Sequence, residues 1–514
     1  MLETAGTRRP PWMINLLAVV LVLVASGVLI VVFHNGPPSR TIMAGLLGVL
    51  VLTPVLMRWQ TGWLILFALF PVINLIRRAY YLAEIHLNDV SFNDLFVALP
   101  DAVALLTVVG FVLSLRVSGK DGYDWGDTMI ARPLKLLIGL SLLEIFNPLM
   151  GSTIAGLNGF RQFTLYALFY FVTQAAVRSR AQLSVWFKMF LIIGALSGAY
   201  GAFQYIFGFP VYDQMWAQMY AVTNQTIGDQ MRAFSSFSFT STFSHYMVVA
   251  ASAALVALRM KRIGTFTRLL SPFFLVCMLL GLAVTFVRSS YVGLLVAGLV
   301  GLVMTGRPSG RWKRLIFVAA LSAVLVGVMP HSHGDSDLGL GQQANQTGQL
   351  VANRIESLTR PTDVGSMSIR FAAWQQVIHN STMYPMGAGL GIGASSRFTG
   401  NYGLASIGYT ESQLFSMLAE LGYPGLILYV WVVLAGMLFA MRVHDRLQDP
   451  DLRMFAVFSL MVQAGMTVLG LTGGAVLYTL PGSACYWAAM GFVSVLPRIE
   501  AEEKAREEKL ACAA

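Results

Sequence analysis

Apolar runs recur along the whole chain, and the polar stretches between most of them are short. A helix that crosses a bilayer needs about 20 predominantly apolar residues, because each backbone N–H and C=O in lipid must be hydrogen-bonded within its own segment. On this basis the pattern predicts about 14 transmembrane helices. They fall near residues 14–33, 42–57, 62–76, 93–116, 133–150, 161–177, 184–207, 243–260, 269–287, 290–305, 315–329, 424–441, 453–472 and 477–496.

The predicted architecture is an all-α, polytopic membrane protein with one large loop. Its segments are a cytosolic N-terminal tail (1–12), helices 1–11 (13–329), a large periplasmic loop with surface helices (330–423), helices 12–14 (424–497) and a charged cytosolic C-terminal tail (498–514). Arg8 and Arg9 precede the span at 14–33, as they would in a signal peptide. That span is long and has no convincing small-residue cleavage site, so we expect it to be retained as the first helix.

Charged residues make up 12% of the chain, against roughly 25% in a soluble domain, which again favours a membrane protein. The formal net charge is nevertheless +10. Every lysine lies on one side if both termini are cytosolic, together with arginine clusters in the loops 177–182, 260–268, 306–314 and 441–453. This follows the positive-inside rule, so we expect a bacterial inner-membrane protein and no nucleic-acid partner.

Two loops on the opposite, periplasmic side are long, near 209–242 and 330–423. In the second loop, the segment SIRFAAWQQVIHN places Phe371, Trp374 and Ile378 at spacings of three and four residues. Such a stripe predicts a helix that lies on the membrane surface.

The next segment, GAGLGIGAS, is rich in glycine, with Gly387, Gly389, Gly391 and Gly393 alternating with other residues. A dinucleotide-binding fingerprint would need a strand before it and a helix after it in a βαβ unit, and the sequence predicts neither. We therefore interpret these glycines as residues that allow tight backbone turns.

A further helix is predicted in YTESQLFSMLAELGYPG, where Thr410 and Gln413 have the spacing of a capping box. It should begin at Glu411 and stop near Gly422. Glu411 then shares a face with the apolar Phe415, which is an unusual position for a carboxylate.

Two arginines on the periplasmic side are candidates for binding a lipid diphosphate. Arg288 interrupts an apolar hairpin and Arg370 sits on the predicted surface helix. A guanidinium group stays charged and offers paired donors to phosphate oxygens. The alternatives are a snorkelling side chain for Arg288, a solvated position for Arg370, and a helix N-terminal acid for Glu411.

Histidines and acidic residues suggest little further chemistry. His245 and His379 are in positions where a structural role is commoner than catalysis, although His379 is kept as a candidate for substrate binding. The run HSHGDSD contains His331, His333 and Asp335 at metal-ligand spacing, but short polar runs of this kind are usually solvated linkers. We expect no metal ion and no cofactor.

The order of these motifs resembles the O-antigen ligase and polymerase family. The segments are TFVRSSYVGLL, RIESL, SIRFAAWQQVIHNSTMYPMGAGLG and ESQLFSMLAELGYPGL, and upstream GLNGFRQF, GAYGAFQYIFGFP and RAFSSFSF. They are similar to that family's arginine hairpin, its Arg-x-x-x-Trp helix, its Pro-x-Gly-x-Gly turn and its helix ending in Glu-x-Gly-x-x-Gly. The resemblance covers roughly residues 140–440, and exopolysaccharide polymerases look like the closer relatives.

The resemblance implies a GT-C-like, metal-independent, inverting glycosyltransferase acting on glycans carried by polyprenyl diphosphate. It implies that Arg288 and Arg370 hold the diphosphate and that Arg161 and Arg232 contact glycan or lipid. The family usually has a histidine where counting back from Glu420 gives Glu411. We therefore expect Glu411 to act as the general base.

The leading hypothesis is a polymerase that transfers a growing chain onto another lipid-linked repeat unit. A ligase with a different acceptor, a flippase for the same lipid, and a non-catalytic scaffold are the alternatives. Asp101 and Glu144 are ionisable groups within predicted spans, so a transporter stays an alternative. Expected partners are the polyprenyl-diphosphate-linked oligosaccharide and membrane lipid, with a chain-length regulator or export machinery as candidate protein partners.

Overall fold

A computed structural model describes most of the chain in separate stretches. The described residues are 50–85, 93–117, 128–150, 152–220, 226–227, 230–306, 310–316, 318, 365–392, 412–472 and 476–513. Among the candidate residues, Glu411 lies outside these ranges, as do the HSHGDSD run and Gly393.

The described residues are almost entirely helical, which confirms the all-α part of the predicted fold class. The helices are α1 Trp59–Ile85, α2 Asn93–Val117, α3 Ala131–Glu144, α4 Thr153–Gln162, α5 Thr164–Ala167, α6 Phe169–Ala176, α7 Arg180–Phe207, α8 Val211–Tyr220, α9 Thr240–Ala257, α10 Thr265–Ala283, α11 Arg288–Thr305, α12 Gly365–Met383, α13 Gln413–Arg446, α14 Pro450–Thr472 and α15 Gly482–Ala513. Short 3₁₀ turns lie at Pro148–Met150 and Val476–Tyr478, and strands Thr226–Ile227 and Gln230–Met231 pair antiparallel.

Within the described ranges, 7 helices are long and apolar enough to cross a membrane. These segments are Trp59–Arg78, Arg180–Phe207, Thr240–Ala257, Thr265–Ala283, Arg288–Thr305, Gln413–Arg446 and Pro450–Leu471. Each coincides with a span expected from the apolar pattern. The predicted span at 14–33, half of that at 42–57 and most of that at 315–329 lie outside the described residues, so the total of about 14 stays a prediction.

Two of the predicted spans are shortened or divided in the structure. The span expected at 133–150 ends at Glu144, in keeping with the disfavoured helical conformation before Pro148. The span expected at 161–177 begins earlier, at Thr153, and is divided into α4, α5 and α6. Glycines that favour a loop in isolation are helical here because they allow close packing: a Cβ on Gly159 would lie 2.5 Å from the carbonyl oxygen of Leu390.

The helix expected to stop near Gly422 does break there, because Gly422 has φ 64° and ψ −163°. The chain then continues as the second half of α13. The predicted start of this helix at Glu411 was wrong, because α13 begins at Gln413, after Ser412. The Gln413 side chain accepts the N–H of Leu477 at 3.0 Å, so its amide oxygen serves a tertiary contact instead of a capping box.

The predicted surface helix is α12, but its packed face is rotated relative to the expected stripe. Val377 is buried, whereas Ile378, expected on the apolar face, is 49% exposed within the protein. The Trp374 ring stacks on Phe415 of α13 at 4.9 Å between centroids. The tertiary contact with α13 therefore uses the face of Trp374, Val377 and Ser381.

The core of the bundle lies around α14, which packs against α9, α11, α13 and α15. An aromatic cluster extends this core toward α1 and α7. Trp63, Trp186 and Phe492 contact one another there, and the rings of Trp186 and Phe492 are 4.5 Å apart. Such interlocked aromatic packing fixes the helix positions and so the ends on which loops are displayed.

Charged contacts gather at one end of the bundle, which we call the charged end. It is defined by Arg180, Arg262, Arg311 and the α13–α14 connection at Asp449. Arg180 pairs with Asp449 at 2.7 Å and with Glu503 of α15 at 2.6 Å. The opposite end, which we call the glycine-turn end, carries the α10–α11 connection and residues 387–391.

Candidate functional site

Arg288 is the first residue of α11 and lies at the glycine-turn end, partly exposed. The turn before it is held by two hydrogen bonds: the Thr285 hydroxyl donates to the Leu282 carbonyl at 2.6 Å, and the Tyr291 hydroxyl donates to the Ala283 carbonyl at 2.7 Å. Phe286 has φ 53°, a strained conformation for a residue other than glycine. A cationic side chain at a helix N-terminus, beside free backbone N–H groups, favours an anion there.

Arg232, a second candidate, contacts the same turn. Its Nε donates to the Thr285 carbonyl at 2.8 Å, and the neighbouring Ala233 N–H donates to the Val284 carbonyl at 3.3 Å. The structure thus brings Arg232 and Arg288, which are far apart in sequence, onto one connection between α10 and α11. Two arginines are therefore held at one short connection at this end of the bundle.

Hydrogen bonds to α7 hold the segment that carries Arg232 in place. The Gln204 side chain accepts the Ser235 N–H at 2.6 Å, and the Ser235 hydroxyl donates to the Ser197 carbonyl at 2.6 Å. Ser235 itself has φ 51°. Both strained residues, Ser235 and Phe286, therefore lie within the two segments that present the arginines.

A fully buried ion pair supports this segment further. Arg78 of α1 and Asp213 of α8 are 2.6 Å apart, and neither side chain is exposed. Arg78 also donates to the carbonyls of Ser235, at 2.6 Å, and Phe237. Its guanidinium carbon lies 4.5 Å from the centre of the Phe234 ring.

Asp213 has further donors. The Tyr200 hydroxyl and the Gln204 amide reach its carboxylate at 2.7 and 2.6 Å. A buried carboxylate with a cation and two neutral donors is well compensated for its desolvation. Arg78 and Asp213 were not among the sequence candidates, since neither occupies a recognisable motif.

The glycine-rich turn has the backbone that the sequence predicts. Gly387, Gly389 and Gly391 have φ of 99°, 108° and 94°, values that L side chains rarely adopt. A Cβ on Gly389 would also lie 2.1 Å from the Met150 side chain. The turn interpretation is therefore correct for these three glycines.

This turn packs directly against the break in α13. The N–H groups of Ala388 and Gly389 donate to the carbonyls of Ala419 and Glu420, at 2.9 and 3.2 Å. These are carbonyls that the broken helix leaves without intrahelical partners, so the turn caps the first half of α13.

The same turn contacts the end of α3. The Leu390 N–H lies 3.4 Å from the Glu144 carbonyl, and the Asn147 amide donates to the Gly387 carbonyl at 3.3 Å and to the Glu144 carboxylate at 2.6 Å. Glu144, noted from the sequence as an ionisable group in a span, thus has a local partner beside the turn.

Glu420 is a buried carboxylate that the sequence reasoning missed as a site residue. It is fully buried and accepts a hydrogen bond from the Tyr478 hydroxyl at 2.6 Å. The Phe163 ring stacks on Tyr478 at 5.4 Å between centroids. The signal was present in the Glu-x-Gly-x-x-Gly pattern, where Glu420 served only as a reference for locating Glu411.

Arg161, expected to contact glycan or lipid, makes an ion pair with Asp101 at 2.6 Å. The Tyr166 hydroxyl donates to the other oxygen of Asp101 at 2.7 Å. The Arg161 side chain is still 41% exposed. Asp101 and Glu144, which left a transporter as an alternative, therefore both have local protein partners.

Arg370 and His379 both belong to α12, but their positions differ. Nine residues correspond to a rotation of about 180° on an α-helix, so the two positions lie on opposite faces. Position 370 shares the face of Trp374, Val377 and Ser381 that packs on α13, whereas His379 is exposed. By helix geometry, the two positions therefore do not share a face of α12.

One comparison with known proteins identifies the segment that carries these features. The family model described as O-Antigen ligase matches residues 273–430. The matched segment contains α11 with Arg288, all of α12, the glycine-rich turn and the break at Gly422; Arg161 and Arg232 precede it. A search of curated proteins gave no match to the chain. The family resemblance seen in the sequence is thus confirmed.

Proposed function

We propose that this multi-pass membrane protein is a polysaccharide polymerase that uses polyprenyl-diphosphate-linked glycans, because residues 273–430 match the O-Antigen ligase family model. The observation that carries the proposal is the joining of Arg232 and Arg288 on one turn at the glycine-turn end. Charge of this kind suits the leaving group of a lipid-linked sugar.

In the proposed reaction, a hydroxyl group of one lipid-linked repeat unit attacks the anomeric carbon of the sugar on another. The new glycosidic bond forms as the bond from that carbon to the diphosphate breaks, with inversion at the anomeric carbon. The proton of the hydroxyl passes to the base, and the polyprenyl diphosphate departs with the bonding electrons. The donor supplies the driving force, so the protein aligns the two chains and stabilises the developing charge.

We assign the diphosphate contacts to Arg288 and Arg370 and the base to Glu411. The packing of α12 on α13 supports this grouping, since position 370 belongs to α12 and position 411 directly precedes Ser412, the residue before α13. Trp374 stacks on Phe415, and the Ser381 hydroxyl lies 3.1 Å from the Tyr423 hydroxyl, so the pairs keep the same offset to within one residue.

Arg161 and Arg232 are proposed as secondary contacts to glycan or lipid. The Nε of Arg232 donates to the Thr285 carbonyl, which holds this side chain at the turn before Arg288. Arg161 shares its charge with Asp101, which suits a neutral sugar better than a diphosphate. His379 is the weakest of the candidates, because it lies on the exposed face of α12, opposite position 370.

The proposed setting is the bacterial inner membrane with both termini in the cytosol and the site in the periplasm. The pairing of Arg180, Arg262 and Arg311 at the charged end supports it, since cytosolic ends collect arginine and lysine. A GT-C-like architecture with about 14 helices and a periplasmic loop at 330–423 belongs to the same proposal. So does a chain-length regulator or export machinery as partner.

A ligase that passes the glycan to a lipid A core or a protein is the second candidate. The description of the matching family, O-Antigen ligase, favours it directly. The chemistry at the donor is the same, and only the acceptor differs. A flippase has less support because Asp101 and Glu144 are engaged within the protein.

The test uses purified full-length protein with lipid-linked repeat units and compares Arg288→Ala, Arg370→Ala and Glu411→Ala with wild type. We expect a ladder of products from wild type. The arginine variants should lose activity on the order of 100-fold, as when one transition-state donor is removed, and Glu411→Ala about 100-fold or more. Arg506→Ala, on the exposed part of α15, is the matched control and should keep full activity.

The outcomes separate the alternatives. Normal ladders from all three variants would remove the proposed site. A single transfer to an added lipid A core or protein acceptor, without a ladder, would establish the ligase instead. Loss of activity on adding a chelator would overturn the metal-independent mechanism.

A further inference from the structure

An open groove lies between α10 and α11, away from the Arg232–Arg288 turn. The two helices are consecutive but diverge, since α10 packs against α7 and α9, whereas α11 packs against α14 and α9. The space between them is about 610 Å³. It extends along α11 from Tyr291 to Thr305, which is roughly 20 Å of helix, and its floor is formed by Val457 and Met461 of α14.

The groove is apolar along nearly all of this length. Its wall includes Leu279, Leu295 and Leu302, which are 41%, 49% and 57% exposed within the protein. Gly298 also faces it, and a Cβ added there would meet no atom within 4 Å. A long, narrow, apolar space within a membrane-spanning bundle matches a hydrocarbon chain in shape and polarity.

Polar groups line the part of the groove that lies nearest the charged end of the bundle. Arg259 and Thr305 lie there, and the Arg259 guanidinium donates to the Thr305 hydroxyl. At the other end, the Tyr291 hydroxyl is already engaged by the Ala283 carbonyl. A ligand with one hydrocarbon chain and one polar group would therefore place the polar group beside Arg259.

Arg259 differs from the neighbouring arginines in how its charge is compensated. Arg180, Arg262 and Arg311 at the same end are each paired with a carboxylate. Within the described part of the chain, Arg259 has a neutral hydroxyl as its partner and forms no ion pair with a carboxylate. A guanidinium left uncompensated beside an apolar groove is complementary to the phosphate of a lipid.

We propose that this groove binds one acyl chain of an anionic phospholipid whose phosphate is held by Arg259. The site lies at the opposite end of α11 from Arg288, so it is separate from the proposed diphosphate site and does not depend on the proposed function. An acyl chain there fills the space between α10 and α11 and connects α9 and α14 to the helix that presents Arg288. The ligand is a membrane phospholipid, not the polyprenyl donor.

The test titrates full-length protein, freed of co-purified lipid in detergent, with dioleoyl phosphatidylglycerol and counts bound lipid by native mass spectrometry. We expect saturable binding of one molecule, with dioleoyl phosphatidylcholine at least tenfold weaker. Arg259→Gln should weaken phosphatidylglycerol binding about tenfold, as expected for one lost charge-assisted contact, and Arg259→Lys should retain most of it.

Gly298→Phe supplies a second, independent variant, because its ring would occupy the groove without displacing an atom at the Cβ position. It should abolish binding of phosphatidylglycerol. Gly139→Phe is the matched control: Gly139 of α3 also has open space around its Cβ, but lies outside the groove, so binding should be unchanged. Monodisperse elution of both variants shows that they are folded.

Three results would overturn the proposal. The first is equal binding of phosphatidylglycerol to wild type, Arg259→Gln and Gly298→Phe. The second is equal affinity for phosphatidylcholine, which would remove the role of charge. The third is a polyprenyl phosphate that competes for the groove and binds Arg259→Gln as well as wild type, which would assign the groove to the donor lipid.

Discussion

Arg78 and Asp213 form an ion pair of 2.6 Å in which neither side chain is exposed. The pair connects α1 with α8, and Arg78 reaches on to the carbonyls of Ser235 and Phe237. Ser235 belongs to the segment that carries Arg232, which in turn contacts the turn before Arg288. A buried charge pair thus fixes the backbone on which the two partly exposed arginines, Arg232 and Arg288, are presented.

Removing one partner of this pair should destabilise the protein strongly. Arg78→Met leaves a buried carboxylate and Asp213→Leu a buried guanidinium, and each should cost about 3–5 kcal/mol. The double variant Arg78→Met/Asp213→Leu should be less destabilised than the sum of the two, because neither charge is then left alone. Thermal unfolding in detergent measures this, and additive effects in the double variant would contradict it.

Gly387→Ala should disrupt the contact between the glycine-rich turn and α13. A Cβ at position 387 would lie 2.4 Å from the Glu420 carbonyl oxygen, and the φ of 99° adds strain. Together these effects should cost more than about 1 kcal/mol and lower the melting temperature.

Gly139→Ala is the control for that prediction. Its Cβ meets open space within a helix, so it should be neutral or slightly stabilising. Equal melting temperatures for Gly387→Ala and wild type, measured beside this control, would show that the turn adapts without strain.

Much of the helical architecture could be predicted because apolar length and backbone hydrogen bonding determine it. The glycine-rich turn could also be predicted, since alternating glycines imply positive φ. The earlier start of the span predicted at 161–177 could not, because it depends on how Gly156 and Gly159 of α4 pack against backbone from other segments. Likewise, the packed face of α12 follows from the contact with α13 and not from its own stripe.

The candidate site was predictable residue by residue but not as a group. Arg288 stood out because a charge in an apolar hairpin is costly, whereas its proximity to Arg232 depends on the contact at Thr285. Arg78 looked like an ordinary charge near the end of a span. Its role became evident only when Asp213, far along the chain, was placed against it.

Tyr478→Phe should destabilise the protein at the glycine-turn end, because it removes a hydrogen-bond donor to Glu420. The Tyr478 hydroxyl donates to the buried Glu420 carboxylate at 2.6 Å, and removing it takes away a charge-assisted hydrogen bond. We expect a loss of about 1.5–3 kcal/mol in stability, seen as a lower melting temperature. Tyr423→Phe is the control and should cost less, because Tyr423 of α13 is 41% exposed and its hydroxyl contacts the neutral Ser381 hydroxyl at 3.1 Å.

A smaller effect of Tyr478→Phe when Glu420→Gln is also present would confirm that the two residues act together. The neutral amide needs the hydroxyl less than the carboxylate does. The same size of effect in both backgrounds would show that Tyr478 stabilises the protein through its ring packing on Phe163 instead.

The charged end should lose stability in acid through Asp449. Burial alone would raise the pKa of Asp449, but hydrogen bonds from Arg180 and from the backbone N–H of Leu452 outweigh it and lower that pKa below the ordinary value. A carboxyl group with a lowered pKa in the folded state stabilises the protein above its unfolded pKa of about 3.9 and loses that contribution as the pH falls through the folded value.

Asp449→Asn removes this titration, because the amide keeps the shape of the side chain but carries no charge. At neutral pH the variant should melt at a lower temperature than wild type, since Arg180 loses one of its two carboxylate partners. The difference between the two proteins should shrink as the pH falls from the unfolded pKa of about 3.9 through the lowered folded pKa of Asp449. Melting curves of both proteins across this range provide the measurement. A difference that stays constant with pH would mean that the Asp449 charge does not stabilise the charged end.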